Sequence, residues 1–150
     1  MHIGIVGYSS NRIDPIAAHA LLQHAMQQLI SQHAPSAQPT DIHIISGLTN
    51  IGIPKIAYQI ADLHGYHTVG ISAARALTVN CGIYAVDQQI IVGEQFGDES
   101  ACFIATIDYL IRVGGGRQSH HEVELFKAKC KALGRDMNAY LVEHALERLI

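Results

Sequence analysis

The chain has 150 residues, 49% of them apolar and 15% charged, with a formal net charge of −3 when its 10 histidines are neutral. That length and balance fit one domain, residues 1–150, with a substantial core. They exclude a nucleic-acid surface, because the 10 Lys and Arg residues are scattered rather than gathered in a basic stripe, and a membrane span, because no apolar run nears ~20 residues.

Residues 2–7, HIGIVG, read as a buried strand, and Tyr8, Ser9, Ser10, Asn11 and Arg12 follow as a polar loop. Asp14 and Pro15 suit a helix start, with Asp as the cap and Pro in the first turn. That helix runs to about residue 33, and Ala18, Leu22, Ala25, Met26 and Leu29 form its apolar face. Residues 35–39 are a connector. A second strand at 42–46 leads into Gly47-Leu48-Thr49-Asn50-Ile51-Gly52. The next helix carries Ile53, Ile56, Ala57, Ile60, Ala61 and His64 on one stripe, and Gly65 ends it. Residues 67–72 form a third strand. A loop at 73–80 holds Arg75, the stretch 81–86 fits no single element, and 89–92 is a fourth strand. Gly93 to Ser100 form an acidic loop with Glu94, Asp98 and Glu99, and a short helix spans 99–106.

The stretch 108–122, DYLIRVGGGRQSHHE, is the most informative. An apolar run ends at Gly114, Gly115 and Gly116, followed by Arg117, Gln118 and Ser119 and then helical spacing. Strand, glycine turn and helix in that order suit an anion, because glycine lets the backbone approach closely and the helix start offers free N–H groups. A helix at 120–133 points Val123, Phe126, Cys130 and Leu133 inward. Asp136 caps a last helix with Met137, Tyr140, Leu141, His144 and Ala145 on one face. Five apolar strands alternating with helices predict an α/β fold, a Rossmann-like three-layer sandwich on a mostly parallel sheet of five or slightly more strands. Ligands in such sheets bind beyond the carboxyl ends of the strands, where strand order reverses.

Two glycine turns onto helix starts, Gly47–Gly52 and Gly114–Ser119, therefore define the expected site. Ser9, Ser10, Arg12, Thr49 and Asn50 add hydroxyl, amide and guanidinium groups suited to phosphate or sugar oxygens. The first turn is not a Walker loop, since Pro54 and Lys55 follow the second glycine, and it lacks the dinucleotide GxGxxG pattern.

In these segments the chain resembles the Lonely Guy (LOG) and lysine-decarboxylase-like proteins of the SLOG superfamily. Ser46 to Pro54 looks like their GGGxxGLMG turn, and Gly4 to Ser10 resembles their first strand and GSS loop. The stretch from Gly114 is similar to their PGGxGTxxE motif. The proline falls on Gly114, the paired glycines on Gly115 and Gly116, the third glycine on Gln118, the threonine on Ser119 and the glutamate on Glu122. The likeness covers about residues 1–133. It implies a nucleotide binder or a nucleoside 5′-monophosphate phosphoribohydrolase, with Glu122 catalytic. The arginine that partners this glutamate falls on Glu99, a charge reversal. A non-enzymatic carrier or sensor, related in fold to the molybdenum-cofactor carrier proteins, is the third class the likeness admits.

The plainer readings stand beside these. Glu122 near a helix start also suits the helix dipole. His120 and Glu124 have ligand spacing, but exposed helix-start residues are commoner, and no metal and no cofactor are expected. Arg112 inside a strand has no account from the sequence. The three cysteines share no short spacing, so neither zinc nor a disulfide framework is expected. With no signal peptide read at the start, this points to a cytoplasmic protein. Few charges and dimeric relatives lead to the expectation of a homodimer whose partner is a small phosphorylated ligand.

Overall fold

The computed structural model describes residues 1–149. Its sheet has six parallel strands: β1 (His2–Gly7), β2 (His43–Ser46), β3 (His67–Ser72), β4 (Gln88–Ile91), β5 (Tyr109–Val113) and β6 (Leu141–His144). Their spatial order is β4-β3-β2-β1-β5-β6. The chain steps outward from β1 to β4, then crosses back to place β5 on the other side of β1. Strand order therefore reverses between β1 and β5, which is where the fold opens a crevice.

Each face is covered by helices, α1 (Pro15–His33) and α2 (Gly52–His64) on one side, α3 (Ser100–Thr106) and α4 (Arg117–Ala132) on the other. Strand alternation divides the side chains between the two faces. Ile3, Ile5, Ile44, Ile111 and Val113 pack under α1 and α2, while Val6, Ile45, Val69, Ile71 and Leu110 pack under α3 and α4. The Asp14 carboxylate accepts from the N–H groups of Ile16 and Ala17 at 3.0 and 3.3 Å and so starts α1. The buried face of α1 is Ala18, Leu22, Ala25, Met26 and Leu29, the face read from its spacing. No helix among the described residues is long and apolar enough to cross a membrane.

The C-terminal region corrects the sequence reading. Asp136 does cap a helix, but it is a single turn, α5 (Met137–Tyr140), and the chain then extends as β6. The spacing of Tyr140, Leu141 and His144 fits a helix, yet the four residues from Leu141 fit a short strand equally well. The free edge of β5 decides between them, pairing Leu110 with Leu141 and Arg112 with Glu143. This also accounts for Arg112. Its Nε donates to Glu143 Oε2 at 2.7 Å and its Nη1 to the Gly114 carbonyl at 2.7 Å, so it joins the last two strands and fixes the turn beyond β5. Helix α4 begins at Arg117, three residues before the expected start, because Gly116 already serves as its cap.

Candidate functional site

A cavity of about 550 Å³ lies at the carboxyl ends of the strands. It sits at the reversal between β1 and β5, with the ends of β2 and β3 completing its floor. Of the residues expected to hold a ligand, Ser9, Gly47, Thr49, Gly116, Arg117, Gln118 and Ser119 line it, as does Glu122. Ser10, Arg12, Asn50, Gly52, Gly114 and Gly115 do not.

The reason is local packing. At Gly52 φ is +67°, and a Cβ there would stand 2.2 Å from the Tyr8 carbonyl oxygen and 2.6 Å from the Ser10 nitrogen. The Ile53 N–H donates to that same carbonyl at 2.9 Å. The polar loop after β1 is thus folded onto the start of α2 and uses groups that an anion would need. The other side is closed too. Asn50 N–H donates to the Gly82 carbonyl at 3.0 Å, Tyr84 N–H donates to that of Leu48 at 2.8 Å, and Thr49 bridges Ile83. The Gly47–Gly52 turn is therefore packed at its helix end, and Gly47, Thr49 and Ile51 of it reach the cavity. Ser10 Oγ accepts the Arg12 N–H at 3.1 Å in a local turn, and Gly114 lies under the Tyr8 ring.

The second turn remains open. Gly116 caps α4 without a side-chain hydrogen bond, and nothing lies within 4 Å of where its Cβ would be. The first N–H groups of a helix have no partner within it, and those of α4 start beside the cavity with the positive end of the dipole. Arg117 is the cation on the cavity wall. Arg75 is engaged elsewhere, donating to Gln95 Oε1 at 3.0 Å and lying over Phe96. Ser119 turns its hydroxyl to the Gly7 carbonyl at 3.3 Å, so it ties α4 to β1.

Two buried acids face each other across this wall. Glu99 is 6% exposed and Glu122 is 7% exposed. The Glu99 carboxylate accepts the Gly97 N–H at 3.0 Å and the Gln118 Nε2 at 2.9 Å. Glu122 has no comparable hydrogen bond. Burial, then the charge of Glu99, push its carboxyl up to about 8, with Gln118 beside it opposing the rise. At neutral pH Glu122 is therefore protonated, able to donate through O–H and accept through its carbonyl. The hydrogen bond makes Gln118 and Glu99 one unit, which no sequence spacing could have revealed, since 19 residues separate them. Neighbouring Asp98 has a different task. It accepts the N–H groups of Glu94 and Gln95, which hold its carboxyl below the usual range and shape the loop before α3. Among the described residues no three His, Cys, Asp or Glu side chains converge in a metal-binding cluster.

No family model matches the sequence, and no curated protein matches it. Solved structures match in fold. The X-ray structure of TM1055, a structural-genomics target, is similar with a TM-score of 0.63 at 15% identity, over 95% of this chain and 90% of that one. A molybdenum cofactor carrier protein from Chlamydomonas reinhardtii gives 0.61 at 18% identity, over 97% and 89%. At these identities the likeness is one of fold, a Rossmann-like sandwich.

Proposed function

We propose that this protein binds a nucleotide or a related phosphorylated ligand, with the ligand's anionic group at the start of α4 beside Arg117. The observation that carries this reading is the N-terminus of a 16-residue helix, without a side-chain cap, opening beside a cavity at the strand reversal. An anion there gains hydrogen bonds from N–H groups that otherwise have only water, together with the favourable end of the dipole. The apolar wall, which includes Ile51, Pro54 and Phe103, receives the rest of the molecule. A storage or carrier role draws support from the Chlamydomonas neighbour, a molybdenum cofactor carrier protein.

The test uses Gly116→Asp. The position is sterically open and its φ of −99° suits any residue. An aspartate would cap α4 and stabilise the free protein by roughly a few tenths of a kcal/mol, while placing a carboxylate where the anion belongs. Wild-type protein should melt higher with phosphate or nucleoside monophosphates present, and the variant should melt higher alone but not respond. No response of the wild type to any phosphorylated compound would end the reading.

A second reading is favoured by Glu122, a buried acid protonated at neutral pH on the cavity wall. In a phosphoribohydrolase it would serve as general acid, delivering its proton to the departing base while water adds to the ribose carbon that loses it. Base release from nucleoside monophosphates, lost in Glu122→Ala, is the expected result. Absence of release from all of them would exclude it.

A further inference from the structure

The anion site accounts for the turn at Gly116 but not for the two acids and the amide beside it. Such a cluster repels phosphate, so it faces a different part of the ligand. Glu122 is 7% exposed and lines the cavity, and Gln118, already bonded to Glu99, is the protein neighbour placed to reach it, so its carboxyl has room for a partner from the ligand. Glu99 is held in place by Gly97 and Gln118. The same wall carries the Phe103 ring, with Phe96 also lining the cavity. Flat apolar surface beside a polar edge suits a planar heterocycle better than a simple amine.

Resting on the ligand-binding reading above, we propose that Glu99, Gln118 and Glu122 form the specificity-determining end of the cavity. They read a lactam–amine edge, a ring carbonyl followed by a ring N–H and an exocyclic amine. The match is one of donors and acceptors. Protonated Glu122 offers its O–H to the ring carbonyl. The remaining acceptors of Glu122 and Glu99 take the ring N–H and the amine. An adenine edge can take the O–H on its ring nitrogen and return its amine, but it has no ring N–H for a further acceptor. A hypoxanthine edge has the carbonyl and the ring N–H but no amine. A guanine edge and a pterin edge have all three.

The experiment is calorimetric titration of the full chain at about pH 6.5, where Glu122 keeps its proton, with GMP, IMP, AMP and neopterin. GMP should bind about 10- to 100-fold more tightly than IMP and AMP, the loss that follows when a hydrogen bond to a charged acceptor is not made. Preference for GMP over neopterin assigns the edge to a nucleotide; preference for neopterin assigns it to a pteridine. Glu99→Gln should collapse the GMP-to-IMP ratio while IMP still binds, which a merely structural residue would not do. Glu122→Gln keeps one donor and one acceptor, so it should retain GMP and lose the fall in affinity expected as pH rises through about 8. Equal affinities for GMP, IMP and AMP, all abolished by Gly116→Asp, would leave the anion site standing and overturn this specificity. Failure of every compound to bind would overturn both.

Discussion

The two glycine turns look alike in sequence and differ in what surrounds them. At Gly47–Gly52 the helix start is covered by the loop after β1 and clasped by residues 82–84, so the backbone groups of Leu48, Asn50 and Ile53 bond within the protein. At Gly114–Ser119 the glycines at 114 and 115 are packed in the same way, but Gly116 faces open space at the head of α4. A turn of the same composition becomes a junction or a binding element according to whether another segment reaches it first. The lesson extends to residue type. A glycine that avoids a collision supports the fold, and a glycine that leaves room supports a ligand.

Substitutions should separate the two turns by size of effect. Gly52→Ala sets a methyl against backbone at a positive φ, so it should cost about 4 kcal/mol of stability in urea unfolding; a loss under 1 kcal/mol would mean the first turn is as open as the second. Glu122 gives the second turn a pH signature. Its folded value of about 8 lies above its ordinary 4.5, so the folded state holds a proton that the unfolded chain has released between those values. Stability contributed by this group therefore falls as pH rises through that window and is lowest above about 8. Glu122→Gln should flatten the fall and be more stable at about pH 8 by on the order of 3 kcal/mol. Parallel stability curves for the two proteins would contradict it.

Smaller effects probe what holds the second turn in place. Arg112→Ala removes the bonds to Glu143 and to the Gly114 carbonyl. It should cost about 1–2 kcal/mol and speed amide exchange in β6 more than in β2. Uniform acceleration across the sheet would show that the pair does not act locally. Gly116→Ala should shift stability by about 0.5 kcal/mol or less, because the lost glycine cap is offset by a stiffer unfolded chain. A penalty as large as that at Gly52 would erase the distinction between the turns.

Much of the frame was legible in the residues. The spacing of Ala18, Leu22, Ala25, Met26 and Leu29 defines the buried face of α1 because burial on a helix follows its period. The Gly114–Ser119 segment was legible as strand, turn and helix for a similar reason. The final strand was not. Four residues are too few for period 2 to stand out from period 3.6, and β6 exists because β5 has a free edge to pair with. Nor was the engagement of Arg75 by Gln95 and Phe96 visible, which left Arg117 as the cation of the cavity wall.

By itself the sequence determined the alternation of strands and helices, the faces they bury and the loops that gather at the carboxyl ends of the strands. These depend on periodicity and turn chemistry, which are local. Only the tertiary structure decided which helix start stays open, that Glu99 and Gln118 form one unit, and that Glu122 loses its charge at neutral pH. Those outcomes depend on burial and on contacts between segments distant in the chain, such as Tyr8 with Gly52 and Gln118 with Glu99. A local pattern carries no record of which distant group will arrive.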